Sequence, residues 1–434
     1  MELSKHNIIS RIKDSEYYFI VNLLSGNADI FTAEQARELA NGKFKDTELL
    51  LEKGYMADPK QEEALYREKY LDFLDDRETD EVQLFFVPHY SCNFSCSYCY
   101  QDEYTNPEMG LTEEKINAFF SYVDYKFLNR RKYITLFGGE PLLPGDNYKK
   151  LLEYFLSRAT ERKLDIAVVT NGYYLAGYTE ILKKTRIREI QVTLDGTREV
   201  HNARRPLKSK KGTFDRIVEG IDLALQQKMP INLRMIVDKE NIDNLPGLAR
   251  FAIKKGWTGN PLFKTQLGRN YELHHCQLDN QQLFSRIEMY EKIYKLLKTN
   301  PEILEFHKPA FSVSKFLFEE GELPGPLFDS CSGTKTEWAF DYTGNIYSCT
   351  ATVGKEGESL GTYYPEIKLQ EQLIEEWENR DVLSIEKCRD CSLRLACGGG
   401  CAAVAKNTSG MINAPDCRPV KELLELGIAW YFNE

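Results

Sequence analysis

The sequence predicts an α/β protein: a partial (β/α)6 TIM-like barrel, with a small winged-helix-like module ahead of it and a cysteine-rich segment behind it. Three observations predict that arrangement. From residue 82 onward, short apolar runs alternate with amphipathic helical patterns; residues 1–80 read instead as a hairpin with short helices; and in the last hundred or so residues Gly and Cys rise while regular periodicity falls. At 434 residues the chain exceeds one ordinary domain, and 42% hydrophobic with 12% aromatic residues is enough apolar material for a sizeable core. The divisions fall at 1–80, 81–300 and 301–434.

In chain order, residues 17–31 read as two short strands turning at Ser25-Gly26-Asn27. A helix follows, because Thr32 with Gln35 three residues on makes a capping-box pattern and Gly42 supplies a stop. A second short helix stands near 46–53, and the charged stretch 54–80 reads as a wing and linker. Six strands then come at 82–88, 133–137, 165–170, 190–194, 231–237 and 262–267. Between them lie helices such as 112–128, with Ile116, Phe119, Phe120 and Val123 on one face, and 213–227, with Phe214, Ile217, Val218 and Ile221. This alternation implies a parallel sheet with right-handed crossovers, in which chemistry sits at the C-terminal ends of the strands. Residues 280–320 are helical, and the tail beyond them is expected to be loop-rich and stapled by metals. No internal repeat or low-complexity tract interrupts the pattern.

Charge and composition exclude several classes. The formal charge of −10 is spread over many Asp and Glu, which argues against a phosphate-backbone partner, so nucleic acid is not expected. The N-terminal stretch lacks the apolar core of a secretory signal, and no apolar run is long enough to span a bilayer, so the expectation is a cytoplasmic protein without a membrane partner. Eleven cysteines in a reducing compartment are poor disulfide candidates and, where clustered, better metal ligands.

The first cluster is Cys92-x3-Cys96-x2-Cys99, on the loop that follows the first barrel strand. By themselves these residues suit a structural zinc with a distant fourth ligand, or three buried thiols. Their spacing resembles that of the radical S-adenosylmethionine (SAM) superfamily, whose trio holds a 4Fe–4S cluster; the resemblance implies that SAM fills the fourth iron's open coordination and that Tyr98 lies against its adenine. Other positions agree with the resemblance. Gly138-Gly139-Glu140-Pro141, after the second strand, matches a family motif whose backbone receives the methionine ammonium, and glycines without side chains permit a close approach. Thr170-Asn171-Gly172 fits both the family and common turn chemistry. Thr193-Leu194-Asp195-Gly196, followed by His201 and Arg204-Arg205, resembles the ribose- and carboxylate-binding region, which implies Thr193 at the ribose and Arg205 at the SAM carboxylate; His201 and Arg204 equally suit a solvated turn.

Downstream, Cys331 and Cys349 precede a Cys-x2-Cys-x5-Cys-x3-Cys run, Cys388 to Cys401, and then Cys417. The pattern resembles the seven-cysteine motif of the SPASM subfamily, which binds auxiliary iron–sulfur clusters beside the barrel. Carried across, it implies that Cys388, Cys391, Cys397 and Cys417 complete one 4Fe–4S cluster while Cys331, Cys349 and Cys401 hold another, making three clusters in all. The nearer auxiliary set then has three ligands. Cys276 stands as its fourth, or as a buried free thiol, with a substrate group on an open iron as the rival. Thiolates also suit zinc, which is the competing reading of the tail.

The resemblance implies that SAM, cleaved reductively, yields a 5′-deoxyadenosyl radical, with electrons from an external donor such as flavodoxin or ferredoxin. SPASM enzymes mostly modify polypeptides, and the module at 1–80 resembles the leader-binding elements fused to maturases of ribosomally made peptides, so the expected substrate is a precursor peptide and the expected product a thioether or carbon–carbon crosslink. The competitor within the superfamily is the anaerobic sulfatase-maturating enzyme. That family usually places an Asp after the cysteine corresponding to Cys349, where this chain has Thr350, and it generally begins near the first trio. From another class, an iron–sulfur electron-transfer or binding protein would not need the motif at Gly138 to Pro141. Asp195, Asp341 and Tyr347 are candidates for an acid or base, and spacing singles out none of them.

Overall fold

The structure is a computed structural model and describes residues 1–42, 47–99, 110–270 and 281–432. After a short strand β1 (Glu2–Leu3), β2 (Ile8–Arg11), β3 (Tyr18–Asn22) and β4 (Asn27–Phe31) form an antiparallel sheet in that order, one strand more than the hairpin read from the sequence. The helix Ala33–Ala40 starts as its capping pattern dictates: the Thr32 hydroxyl accepts from the Gln35 amide while the Gln35 side chain accepts from the Thr32 amide. The helix Thr47–Glu52 and β5 (Met56–Ala57), which pairs with β1, complete this unit around Ile20, Phe31, Leu39, Leu50 and Tyr55.

The stretch 54–80 is not a wing and linker: Pro59–Thr79 is a single helix. Asp58 caps it by accepting from the Lys60 and Gln61 amides, and Pro59 occupies the first position, where its missing N–H is no loss. The many charges of this stretch mask an apolar stripe. Tyr66, Tyr70 and Phe73 all pack on Phe328, which is fully buried, with ring centroids 5.2–5.6 Å away. Tyr70 also donates to Asp381 Oδ2 at 2.7 Å. The same core takes in Ile8, Phe19 and Val21 from the N-terminal sheet and Cys388, Leu395 and Leu424 from the tail, so the first and last parts of the chain are packed together.

The barrel consists of β6 (Val82–Val87), β7 (Lys132–Leu136), β8 (Ile166–Thr170), β9 (Ile187–Thr193), β10 (Ile231–Val237) and β11 (Phe263–Arg269), parallel and in sequence order. Strand alternation separates its two faces. Val82, Leu84 and Phe86, like Ile231, Leu233 and Met235, join the core formed with outer helices such as Glu113–Lys126 and Phe214–Gln226. The residues between them, Gln83 and Phe85 on β6 and Asn232 and Arg234 on β10, line an inner cavity of about 570 Å³. The structure is therefore the expected α/β fold with a partial (β/α)6 barrel.

The tail does more than staple loops. β12 (Glu337–Asp341) pairs in parallel with β6, Ala339 opposite Phe85, and β13 (Asn345–Tyr347), β14 (Gly361–Thr362) and β15 (Lys368–Leu369) continue from it antiparallel. One ten-stranded sheet thus runs from β11 through the barrel to β15. This extension delivers Cys349, just past β13, to the open side of the barrel.

Candidate active site

Past β6 the chain turns at 88–91 and enters the first cysteine loop. That loop is strapped down by backbone bonds from Ser95 N to Pro206 O and from Ser97 N to Arg204 O, which bring the segment after β9 against it. Cys92, Cys96 and Cys99 line a cavity of about 260 Å³ together with Tyr98, Gly138, Gly139, Thr193 and Arg205. The thiols stand close enough that a charge on one disfavours a charge on the next. Burial pushes Cys92 up to about 11 and Cys96 up to about 12, with the Arg205 guanidinium opposing the shift at both. Such thiols become thiolates when a cation takes the place of their protons.

The glycines also have a packing reason of their own. A Cβ on Gly139 would stand 2.2 Å from Ser91 O and 2.4 Å from Tyr90 O, and Gly138, at φ +128°, faces Val87 and His89 O. They let the strand-end backbone nest on the root of the cysteine loop, where Glu140 N bonds Ser91 O at 2.9 Å. Glu140 lies outside the cavity and is fully buried. Its carboxylate accepts from Leu142 N (2.9 Å), Thr170 Oγ1 (2.6 Å) and Asn171 N (2.6 Å), tying the ends of β7 and β8 together. Pro141 faces a separate, apolar cavity. Asn171, which the sequence leaves undecided between site and turn, ties β8 to the same loop: its side-chain amide donates to Asn93 Oδ1 at 2.8 Å and to Cys92 Sγ at 3.7 Å.

Opposite the glycines, Tyr98 donates to Asp195 Oδ2 at 2.6 Å and accepts from Arg205 Nη1 at 2.5 Å. Asp195 also accepts from Ile236 N, and Arg204 forms a two-pronged bond with Asp238 at 2.9 and 2.7 Å. His201 is no solvated turn residue: it is fully buried, accepts from Asp195 N on Nδ1, and therefore donates from Nε2 to Thr213 Oγ1. Burial, with Arg205 and Arg204 nearby, holds its pKa well below the usual imidazole value. Arg204, 5% exposed, is likewise an internal brace. Arg205 differs, because its buried Nε has no acceptor among the described residues while its guanidinium lines the cavity.

The remaining thiols gather into two sets. Cys331, Cys349 and Cys401 line a cavity of about 400 Å³, and burial followed by the Glu337 charge raises Cys349 well above the ordinary thiol value. Cys388 is raised to about 11 by burial and then by Cys397, Cys391 and Cys417, which places those four together. Among the described residues, no three His, Cys, Asp or Glu side chains converge closely enough to hold a single metal ion. Cys276 lies outside the described residues. Asp341 is committed elsewhere: its Oδ2 takes the hydroxyls of Tyr90 (2.7 Å) and Tyr347 (3.1 Å), and its Oδ1 takes Thr343 N. Neither Asp195, Asp341 nor Tyr347 lines a cysteine cavity. The barrel's inner cavity shares Phe137 and Val169 with the first cysteine cavity and Arg234 and Thr350 with the second, so it lies between them.

Residues 86–252 match the family model described as the radical SAM superfamily, so the chain carries a radical SAM domain. Such a domain implies SAM and a 4Fe–4S cluster. The residues present fit both groups: three thiols as donors, a side-chain-free backbone across the cavity, and a buried guanidinium nitrogen with no acceptor among the described residues. Among relatives, GTP 3′,8-cyclase of Campylobacter fetus is 30% identical over 38% of this chain and 50% of its own length, so the chain spans about half the length of the first curated relatives it matches. A serine-type anaerobic sulfatase-maturating enzyme of Bacteroides thetaiotaomicron is 24% identical over 71% of this chain and 80% of its own. In fold, the chain is similar to anSMEcpe with bound AdoMet and Cp18Cys peptide (TM-score 0.62, 18% identity, 82% of this chain, 99% of that one). It is also similar to Streptococcus suis SuiB bound to precursor peptide SuiA (TM-score 0.53, 14% identity, 96% of this chain, 99% of that one). No helix among the described residues is long and apolar enough to cross a membrane.

Proposed function

We propose that this chain is a radical SAM peptide maturase that modifies a ribosomally made precursor peptide, forming a thioether or carbon–carbon crosslink. In this reading Cys92, Cys96 and Cys99 hold the SAM-binding cluster, Arg205 takes the SAM carboxylate on its free Nε, the backbone of Gly138 and Gly139 receives the ammonium, Thr193 meets the ribose, and Tyr98 lies at the adenine. Bound there and reduced, the pair supplies a 5′-deoxyadenosyl radical able to take hydrogen from an unactivated C–H bond. Glu140 and Asn171 act as positioning residues that hold three strand ends on the cysteine loop. The sets Cys331, Cys349, Cys401 and Cys388, Cys391, Cys397, Cys417 would hold two auxiliary 4Fe–4S clusters, whose chemistry would supply an acceptor for the substrate's electron. The enzyme works in the cytoplasm with a flavodoxin- or ferredoxin-like donor.

One observation carries the peptide reading. The likeness to anSMEcpe uses 99% of that chain yet leaves about a fifth of this one without a counterpart, roughly the size of the module at 1–80, whereas the likeness to SuiB bound to its precursor peptide takes in 96% of this chain. We read that module as the receiver of a leader segment. A second reading, sulfatase maturation, is favoured by the relative from Bacteroides thetaiotaomicron. Against it, Thr350 stands where an Asp base is expected, with its amide and hydroxyl both donating to Glu337 Oε1.

The test is anaerobic turnover of the peptide encoded beside the gene, followed by mass spectrometry. The expected product is about two mass units lighter and inert to hydrazide reagents, because one C–H and one further hydrogen are lost to a new bond. A product that reacts as an aldehyde would transfer the assignment to formylglycine formation.

A further inference from the structure

Four guanidinium groups face one carboxylate in the wall of the cavity beside Cys331, Cys349 and Cys401: Arg234, Arg269, Arg286 and Arg418 against Glu337. In a chain with a net charge of −10 this is a local inversion of sign. The carboxylate is already engaged, since Glu337 Oε1 accepts from Thr350 N at 3.0 Å and Oε2 from Ser332 Oγ at 2.8 Å. Arg286 reaches Asp416 at 3.3 Å. Among the described residues the Arg234 side chain donates to a neutral acceptor, Gln191 Oε1, at 3.3 Å. The Nε atoms of Arg234 and Arg418 are buried with no acceptor among the described residues. An unpaired buried donor costs about 1–3 kcal/mol, more when charged, so such groups favour an acceptor arriving from outside. Gly268 leaves room for the guanidinium itself: a Cβ there would stand 2.8 Å from Arg234 Nε. Arg234 also lines the inner cavity of the barrel, so it stands at the passage between the barrel and the second thiol set.

We propose that this wall is a receptor for a carboxylate of the substrate, with Arg234 and Arg418 as its ligands; the proposal rests on the reading of the substrate as a peptide. The carboxylate belongs either to an acidic side chain or to a C-terminus. The planar fork of arginine suits it, because two parallel N–H donors meet two oxygens. A carboxylate seated there pairs donors that have no acceptor among the described residues and anchors its residue at the seam between the barrel and Cys349.

The test compares three probes of nearly equal size on the reconstituted protein by calorimetry: N-acetylglutamic acid α-amide, N-acetylglutamine with a free α-carboxylate, and N-acetylglutamine α-amide. The first or the second should bind at least about ten-fold more tightly than the third. Preference for the first identifies an acidic side chain and preference for the second a C-terminus. The preference should shrink in Arg234→Gln and Arg418→Gln, return in part in Arg234→Lys, and weaken with rising salt. Equal binding of all three by the unmodified protein overturns the proposal. So does a preference untouched by both glutamine variants, which would leave the guanidinium groups serving the thiolates alone. Because none of these probes needs turnover, this failure is distinct from failure of the peptide reading, which shows as a precursor peptide left unmodified while SAM is cleaved.

Discussion

The two three-thiol cavities are built from opposite materials. Around Cys92, Cys96 and Cys99 the far wall is backbone: Gly138 and Gly139 nest on carbonyls 89–91, and one guanidinium, Arg205, has a buried nitrogen with no acceptor among the described residues. Around Cys331, Cys349 and Cys401 the far wall is side chain, with four arginines and Glu337 at the junction of barrel and tail. A backbone wall cannot change shape without moving three strands, so it suits one invariant ligand. A wall of long side chains tolerates exchange, which suits a surface tuned to a particular substrate.

The largest expected contrast comes from removing a thiol on each side. Cys96→Ala should abolish deoxyadenosine formation in reconstituted protein, measured by chromatography. Cys401→Ala should lower it by less than about ten-fold while eliminating modified peptide, if the proposed division of roles holds and SAM meets only the first set. Equal losses in the two variants would dissolve the distinction between the cavities.

Glycine replacements sharpen the same contrast at smaller amplitude. Gly139→Ala forces a methyl against two backbone carbonyls at 2.2 and 2.4 Å and should cost about 1–3 kcal/mol of stability along with SAM affinity. Gly268→Ala meets the guanidinium of Arg234 and the Cδ1 methyl of Ile236, both far ends of side chains that can shift, and should cost less than about 1 kcal/mol. Thermal unfolding and SAM titration of both variants decide it. Similar melting losses would mean that the second wall is as rigid as the first.

Much of this was readable beforehand because the signals are local. Strand alternation placed β6 to β11 within a few residues, and the Thr32 and Gln35 pair marked a helix start that the structure reproduces. The positions of Gly138 and Gly139 were legible, but their packing against 89–91 was not, since it joins the ends of two strands. β12 is five residues long, and its partner β6 lies some 250 residues earlier in the chain, so nothing near it announces the pairing. Helix Pro59–Thr79 was hidden by its charges, although Asp58-Pro59 is a start signal. His201 and Arg204 looked like turn residues because the burial of the helix Arg198–Arg204 around Asp195 depends on contacts from β10 and its loop, such as those of Ile236 and Asp238.

Acidity should separate the cavities by the smallest but most selective margin. Behind the first stand two buried neutral imidazoles. His89, on the segment that receives the glycines, is pushed down to about 4 by burial, against a bond from its ring to Ser91 O; His201, wired to Asp195 N, lies well below the usual value. A histidine whose folded pKa is depressed binds fewer protons folded than unfolded, so its contribution is complete above the unfolded value near 6.5 and is lost as pH falls from there toward the folded pKa. Within that window each group removes about 1.4 kcal/mol per pH unit. The cations of the second wall are arginines, and among the described residues no histidine lines that cavity. Hydrogen exchange, corrected for intrinsic rates, should therefore quicken in 88–99 and 193–205 between about pH 6.5 and 5 while 331–349 changes less. A parallel rise in both regions would show that the first cavity owes its rigidity to the common core and not to its neutral histidines.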